Sequence, residues 1–285
     1  MSVYSESELK KLHELTLEMA KYYVDFCNSN DLLCYFCGGG CIGAIRNKGF
    51  IPWDDDLDFF MPRNDYEKLK ALWNNADHHR YKIAYTTEKY KDKNMFVTIR
   101  DAETTYVKQY QKDLDIVHGI VLDIFPLDGC PKGKIRRKIQ MIESVVAILM
   151  CTEIIPESHG KILKYGSKLA LAVIPKKKRF NVFSRLEKAM SKYRIDDSEY
   201  VTELYAGPKY MRNEYKKDLF SSAVFVDFEG EKMPIPYGYD GYLRQAFGDY
   251  MKLPPENQRI AHHDFLFMDL DRSYLKTSFN GDNNE

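Results

Sequence analysis

The sequence predicts a mixed α/β protein in which helices flank a sheet and a helical segment interrupts the sheet-forming part. Short apolar runs typical of buried strands recur between residues 32 and 126. Residues 6–28 and the segment 131–195 instead carry apolar residues at the spacing of a helix. A chain of 285 residues has room for one large domain or for one domain with a sizeable insertion.

The first element is a predicted helix over residues 6–28. Ser5 or Ser7 is suited to cap it, and Glu8 follows in the first turn. An apolar stripe at helical spacing predicts that one face packs on the core; it consists of Leu9, Leu12, Leu15, Met19, Tyr22, Tyr23 and Phe26.

A short buried strand is predicted over residues 32–37, and a short helix over residues 41–47. Three glycines, Gly38 to Gly40, separate them. Glycines between a strand and a helix let backbone N–H groups approach an anion closely. A plain turn is an equally good interpretation of the glycines by themselves, so their meaning depends on the residues that follow.

Four aspartates within five positions, Asp54 to Asp58, are flanked by Ile-Pro-Trp and Phe-Phe-Met. These apolar neighbours favour a buried strand over a solvated acidic loop. On a strand, Asp56 and Asp58 would point the same way, roughly 7 Å apart at Cα. Like charges that close raise each other's pKa unless a cation lies between them. Because Mg²⁺ prefers carboxylate oxygens and keeps positions open for phosphates, the pattern predicts a metal–phosphate site.

A helix over residues 63–74 and strands over 81–86, 95–100 and 104–109 are predicted next. A further apolar strand over 119–126 contains one aspartate, Asp123. A charged residue inside such a run is seldom purely structural. Asp123 is therefore the candidate third carboxylate, with a salt-bridged strand aspartate as the alternative.

Residues 131–195 differ in character, because basic runs at 132–138 and 176–179 flank apolar helical stretches at 139–155 and 162–174. We expect an insertion of two or three helices. Basic residues beside apolar helices suit a membrane surface or a lipid-linked acceptor, so residues 131–179 are a candidate peripheral membrane contact. A helical subdomain with solvated lysines is an equally good interpretation. The predicted organisation is a core over 1–130, the insertion over 131–195, a part over 196–279 that completes the core, and a disordered tail over 280–285.

Charge and cysteine content exclude some classes of protein. Lysine plus arginine number 42 and aspartate plus glutamate number 42, so the basic excess of nucleic-acid binders is absent. The N-terminus has no signal-peptide pattern, which predicts a cytoplasmic protein, with the inner face of the membrane as a candidate location. The six cysteines are expected to be reduced. A zinc site at Cys34, Cys37 and Cys41 is the lesser alternative to buried thiols, because no second ligand pair follows.

Three segments together resemble the LicD family of phosphocholine transferases, which are relatives of the fukutins. The first is GGGCIGAIRNKGFIPWDDDLD at residues 38–58, and the second is LDIFPLD at 122–128. The third lies near the C-terminus and comprises residues 234–236, 242, 248–250 and 253–255. The resemblance covers roughly residues 30–128 and 230–263. Two positions depart from it: Gly40 stands where the family often has threonine, and Asn47 where it often has histidine.

The resemblance implies a nucleotidyltransferase-like fold, with a mixed sheet flanked by helices. It also implies transfer of a phospho-alcohol, typically phosphocholine, from a CDP-linked donor such as CDP-choline to a sugar hydroxyl. The acceptor would be a surface glycan, a teichoic acid precursor or a lipid-linked glycan. Carried over by position, Asp56, Asp58 and Asp123 are the catalytic, metal-binding carboxylates for Mg²⁺ or Mn²⁺, and Gly39 and Gly40 are the glycine pair.

Further candidate residues surround these motifs. Arg46 and Lys48 are suited to neutralise donor phosphate oxygens, and Arg100 has either a donor-binding or an ion-pairing role. If the alcohol is choline, an aromatic face would bind its quaternary ammonium, and Trp53 is the candidate, with packing under the metal loop as its alternative. Two other functions remain open: a nucleotidyltransferase that modifies a small molecule or a protein, and a non-catalytic glycan- or membrane-binding adaptor.

Overall fold

The structure, a computed structural model, describes residues 4–155, 161–261 and 265–277. The chain forms two compact units. The first comprises Met1–Ala84, Val97–Ile124 and Asp218–Glu285, and the second comprises Tyr85–Phe96 and Phe125–Lys217. The predicted helical insertion, 131–195, falls within the second unit, whereas the predicted tail, 280–285, lies outside the described residues. The division into domains made from the sequence stays a prediction.

The chain contains both helices and strands, in runs of each type, and the predicted α+β class is confirmed. The helices are α1 Glu6–Ser29, α2 Gly38–Arg46, α3 Arg63–Asn75, α4 Lys134–Thr152, α5 Lys161–Val173, α6 Lys176–Met190, α7 Gly207–Tyr210 and α8 Tyr239–Phe247. The strands are β1 Tyr35–Phe36, β2 Asp58–Pro62, β3 Tyr81–Ala84, β4 Val97–Asp101, β5 Thr105–Lys108, β6 Val121–Gly129, β7 Tyr200–Thr202, β8 Tyr215–Lys216, β9 Ala223–Phe228, β10 Glu231–Pro236 and β11 Phe265–Asp269.

The main sheet of the first unit has the strand order β1-β2-β6-β4-β3. Helix α1 starts with a capping box, in which Ser5 and Glu8 each bond the other's backbone N–H. Its buried face brings Tyr23 against Phe59 of β2, with ring centroids 4.8 Å apart. Phe59 also contacts Phe36 of β1 at 4.8 Å. These aromatic contacts hold α1 against the strand that begins with Asp58.

Two smaller two-stranded sheets complete the first unit. Strand β5 pairs antiparallel with β11, with Lys108 opposite Phe265. Strands β9 and β10 form a hairpin, and α8 follows it. Residues 234–236, which belong to the third segment of the family resemblance, form the end of β10. Proline has no backbone N–H and cannot donate a hydrogen bond to a neighbouring strand. It is tolerated here because β10 belongs to a sheet of two strands.

In the second unit, α4 and α6 pack together around an apolar cluster that includes Ala147, Met150, Phe183 and Met190. Strand β7 pairs antiparallel with the end of β6, where Asp128 lies opposite Thr202, and with β8. The described residues of the insertion form three helices, in agreement with the two or three expected. Among the described residues, none of the helices combines the length and the apolar character needed to cross a bilayer.

Two predicted elements near the site have different limits in the structure. The predicted strand 32–37 is reduced to Tyr35–Phe36. The glycines do not form a loop before the helix, because α2 begins at Gly38. Gly38 has φ +49°, a conformation that favours glycine, and this lets the chain turn from β1 into α2 within one residue.

Candidate active site

The acidic segment is a short loop that leads into β2. A turn precedes it, in which the Asp54 N–H donates to the Ile51 carbonyl at 2.9 Å. His13 of α1 contacts the Asp54 carbonyl oxygen through Nε2 at 2.7 Å. The prediction of one strand carrying both Asp56 and Asp58 was wrong, because β2 begins only at Asp58. The preceding residues lie outside the strand, and His13 of α1 contacts the backbone of Asp54 among them.

Asp56 and Asp58 nevertheless point the same way, as expected for residues two apart in an extended chain. Leu57 and Phe59 are buried, whereas Asp56 and Asp58 both retain some exposure. This alternation is that of an extended chain, in which residues two apart share a side. The two carboxylates therefore leave the same side of the segment, although only one of them belongs to the strand.

Asp123 reaches the same region from β6. It lies opposite Thr98 of β4 in the antiparallel pairing, and β6 is also the neighbour of β2. Its Oδ1 atom is buried and has no hydrogen-bond partner within the described residues. A buried, unpaired carboxylate oxygen is costly, so its presence indicates a position prepared for a ligand.

The charges of these residues interact. The pKa of Asp58 is raised well above its usual value, first by burial of its carboxyl group and then by the negative charges of Asp56, Asp123 and Asp54. The positive charge of Lys108 opposes this shift in part. The structure thus brings together the three carboxylates that the sequence selected from two separate segments.

The tightest cluster of carboxylates is a different set. Asp54, Asp55 and Asp56 each offer a ligand oxygen, and these atoms lie within 4.8 Å of one another. Only Asp56 is shared with the set predicted from the sequence. Oxygen-only donors of this kind suit hard divalent cations such as Mg²⁺, so the residues present fit such an ion. Which of the five carboxylates would bind it stays a prediction.

The two glycines assigned to the donor site lie in the first turn of α2. An added Cβ at Gly39 would lie 2.1 Å from Oδ2 of Asp54. An added Cβ at Gly40 would lie 3.3 Å from Leu57 and Phe36. The carboxylate of Asp54 therefore packs on the helix where a side chain would otherwise be. A role for the Gly39 and Gly40 amides in phosphate binding stays a prediction.

Arg46 lies beside this arrangement, at the end of α2. Its Nη1 donates to the Tyr250 carbonyl at 3.0 Å. Burial lowers the pKa of its guanidinium, the Asp54 charge opposes the shift and the charge of Arg259 adds to it. Arg46 is therefore close enough to Asp54 and to Arg259 to interact with the charge of each.

Lys48 is exposed and has φ +60°. Its backbone carbonyl accepts from the Glu229 N–H at 2.9 Å. Its charge contributes to lowering the pKa of Asp227 on β9, after the larger effect of Lys232. The structure thus places Lys48 near the β9–β10 hairpin, and its proposed role at the donor phosphates stays a prediction.

Arg100 is 2% exposed on β4. It donates to Thr98 Oγ1 at 3.0 Å and to the Val117 carbonyl at 3.1 Å. The neighbouring residue, Asp101, forms a bidentate pair with Arg80, at 2.9 and 2.8 Å. Asp101 thus takes part in an ion pair, and the donor-binding role of Arg100 stays a prediction.

Trp53 already has a cation above its ring. The guanidinium carbon of Arg259 lies 5.7 Å from the ring centroid, and Nε of Arg259 donates to the Pro254 carbonyl at 2.9 Å. A choline ammonium bound to this face of Trp53 would have to displace Arg259.

Sequence reasoning missed several residues of the site. Lys108 and Arg259 were not selected, and neither Asp54 nor Asp55 was assigned a role. The sequence gives a weak indication for Lys108, because it is a lysine inside the predicted strand 104–109. Asp55 is bound by Tyr4, whose hydroxyl donates to Asp55 Oδ2 at 2.9 Å.

Comparison with known proteins supports the sequence-based resemblance. Residues 32–135 match the family model described as LicD/FKTN/FKRP, nucleotidyltransferase domain. Lipopolysaccharide cholinephosphotransferase LicD of Haemophilus influenzae is 28% identical over 282 residues, which cover 90% of this chain and 96% of that protein. The matched segment 32–135 contains the carboxylates Asp54 to Asp58 and Asp123, together with Lys108.

Proposed function

We propose, from the LicD-family nucleotidyltransferase domain that residues 32–135 carry, that this protein is a phospho-alcohol transferase. Phosphocholine is the first candidate for the transferred group, because the Haemophilus influenzae relative is a lipopolysaccharide cholinephosphotransferase. The donor would be a CDP-alcohol such as CDP-choline. The acceptor would be a hydroxyl of a surface glycan, a teichoic acid precursor or a lipid-linked glycan.

The observation that carries this proposal is the convergence of like charges around Asp58. Burial and the charges of Asp56 and Asp123 together raise the pKa of its carboxyl group, and Asp123 Oδ1 has no partner among the described residues. Both features are unfavourable in the protein alone. Both would be relieved by a divalent cation, which fits the all-oxygen donor set.

Asp56, Asp58 and Asp123 would hold Mg²⁺ or Mn²⁺, with Asp54 and Asp55 beside them. Such an ion, when bound, would neutralise charge on the attacking and leaving oxygens of the phosphoryl group. Arg46 would supply a further positive charge near Asp54. Positioning and charge neutralisation of this kind are the main requirements of phosphoryl transfer.

The transfer forms one bond and breaks one bond. The acceptor oxygen bonds to the phosphorus that carries the alcohol, and the bond from this phosphorus to the bridging oxygen breaks. CMP leaves with that oxygen. The acceptor proton goes to a base, for which Asp123 is a candidate if it does not complete the metal shell.

Membrane contact through residues 131–179 is part of the same proposal. Helices α4 and α5 each expose an apolar stripe, with Ile135 77%, Ile142 63%, Leu169 66% and Val173 68% exposed. Lysines and arginines flank both stripes. Apolar side chains with basic neighbours are suited to an anionic membrane surface. Flotation with phosphatidylglycerol vesicles tests this, and unchanged flotation of L169E/V173E would contradict it.

The proposed activity is tested with the full chain, Mg²⁺ and CDP-choline labelled on choline, incubated with a lipid-linked glycan extract. Acceptor-dependent release of CMP, together with labelled glycan, is the expected result. Parallel reactions with CTP and ATP test the nucleotidyltransferase alternative. Release of pyrophosphate with transfer of CMP or AMP would overturn the proposal in favour of that alternative.

A further inference from the structure

Lys108 is a buried lysine at the acidic site. It ends β5 and is 8% exposed. Within the described part of the chain, its ammonium group forms no hydrogen bond or short ion pair. A buried ammonium group without such a partner is costly, so its position calls for a specific explanation.

The side chain lines a cleft next to the carboxylates. Tyr106 and Lys108 are two residues apart on β5 and therefore share a face. Both line a cleft whose other walls include Asp55 and Asp56, and Leu12 of α1. The wall of this cleft is thus acidic on the side of residues 55–56 and cationic at Lys108.

The charge on Lys108 is maintained by the carboxylates. Burial by itself would lower the pKa of its ammonium group, and the charge of Arg100 adds to this effect. The interactions with Asp123 first, and then with Tyr110 and Asp56, outweigh both, and the pKa is raised. In the protein alone, Lys108 is therefore part of the compensation for a cluster of negative charges. Its ammonium group interacts with their charges but does not form a hydrogen bond with them.

A divalent cation on these carboxylates would take over this compensation. The ammonium group of Lys108 would then be a buried positive charge next to a second one, and it would need an anion of its own. In a site for a phosphorylated donor, the oxygens of the metal-bound phosphate are anions within the same cleft.

We propose that Lys108 is a phosphate-binding residue, whose Nζ contacts a non-bridging oxygen of the donor's pyrophosphate after the metal ion has bound. This assignment rests on the proposed function for the identity of the donor. The shared chemistry is that of a metal-bound pyrophosphate, which inorganic magnesium pyrophosphate also presents. Binding of this probe does not depend on any transfer reaction.

The test compares Lys108→Met with Lys108→Arg and with Lys112→Met, a control at an exposed lysine of the same region. Calorimetry measures Mg²⁺ alone and then magnesium pyrophosphate. For Lys108→Met we expect Mg²⁺ to bind as tightly as in the unsubstituted protein or more tightly, because a competing cation is gone. Magnesium pyrophosphate should bind roughly tenfold to a hundredfold more weakly, the range of a lost charge-assisted hydrogen bond. Lys108→Arg should recover part of this loss.

A purely structural role predicts the same result for Mg²⁺ alone but a different one for magnesium pyrophosphate. If Lys108 only neutralised carboxylates, Lys108→Met would bind both Mg²⁺ and magnesium pyrophosphate equally well or more tightly, and this result would overturn the proposal. If the methionine variant does not fold, the unsubstituted protein provides a second measurement. Reductive methylation of Lys108, read by mass spectrometry, should be blocked by magnesium pyrophosphate and not by Mg²⁺ alone. Equal methylation in both conditions would also overturn the proposal.

The two proposals fail in different ways. An absence of acceptor-dependent CMP release from any CDP-alcohol, with magnesium pyrophosphate binding that depends on Lys108, would refute the transferase assignment and leave the phosphate-binding role in place. Normal transfer with no effect of Lys108→Met on magnesium pyrophosphate binding would refute the phosphate-binding role of Lys108 and leave the transferase assignment in place.

Discussion

The acidic site of the first unit and the polar network around Arg137 in the second unit both bury charge, but in opposite ways. Arg137 of α4 donates to Gln140 at 2.8 Å, to Thr202 at 2.8 Å and to Glu214 at 3.0 Å. Gln140 in turn donates to two backbone carbonyls, at 2.9 and 2.8 Å. Donors and acceptors in this network satisfy one another within the protein.

At the acidic site, like charges face one another. The pKa of Asp58 is raised by burial and then by the negative charges of neighbouring carboxylates, and one buried oxygen of Asp123 lacks a partner within the described residues. This contrast distinguishes buried charges that stabilise the fold from buried charges that bind a ligand. A network that is complete by itself stabilises the fold, whereas an incomplete one stores an unfavourable interaction that a ligand relieves.

The largest effect is expected for Asp58→Asn. Transfer activity should fall by at least roughly a hundredfold, because an electrostatic group at the reacting centre is lost. The metal-free variant should nevertheless unfold at a higher temperature than the unsubstituted protein, because one of several repelling charges is gone. Activity assays and thermal unfolding in a chelator measure both. Asp113→Asn, at an exposed aspartate, is the control. Lower stability of the metal-free Asp58→Asn variant would contradict the claim that like charges destabilise the acidic site.

Arg137→Met should show the reverse pattern. Its removal leaves several buried acceptors unsatisfied, which we expect to cost about 2–3 kcal/mol of unfolding free energy. The activity of the folded fraction should be unchanged. Denaturant unfolding measures the loss, and Arg136→Met, at the exposed neighbouring arginine, should change little. Equal stabilities of the two variants would show that the network contributes nothing.

The pH dependence of stability separates the two regions further. Glu203, in the second unit, is bound by the Tyr215 hydroxyl, and burial raises its pKa to about 7. The pKa of Asp58 is also raised from its usual value of 3.8. For a carboxyl group with a raised pKa, the native state binds more protons than the unfolded state. Stability therefore falls as the pH rises from the unfolded value through the folded one.

Thermal unfolding between pH 4.5 and 7 should accordingly show a decline that Glu203→Gln flattens. Mg²⁺ should remove the contribution of Asp58, because the bound ion stabilises the ionised form, but it should leave that of Glu203. In Asp58→Asn, Mg²⁺ should therefore have little effect on the slope. If Mg²⁺ does not change how the stability of the unsubstituted protein depends on pH, the metal assignment is contradicted.

The smallest effect is expected for Arg259→Met. Arg259 and Arg46 are like charges that interact with each other, a second unfavourable arrangement that a donor phosphate would relieve. We expect KM for the CDP-alcohol to rise by roughly twofold to fivefold, with kcat changed less, as for the loss of one partly exposed charge. Steady-state kinetics measure both, with Lys252→Met, at an exposed lysine, as the control. An unchanged KM would exclude Arg259 from the donor site.

Local patterns were sufficient for much of the fold. The capping residues Ser5 and Glu8 marked the start of α1 correctly. Strand limits were less well predicted at the site, where β2 begins at Asp58 although the apolar alternation extends before it. In that segment, the contact of His13 with the Asp54 backbone competes with strand pairing, and a local pattern contains no information about this partner.

The sequence by itself determined that Asp56 and Asp58 share one side of an extended chain and that Asp123 interrupts an apolar strand, because both follow from spacing along the backbone. Only the tertiary structure decided that Lys108 is buried near Asp123, that Asp54 packs against Gly39 and that Arg259 covers Trp53. These contacts join residues on different elements. Their existence depends on how those elements pair and pack, and no local periodicity encodes that arrangement.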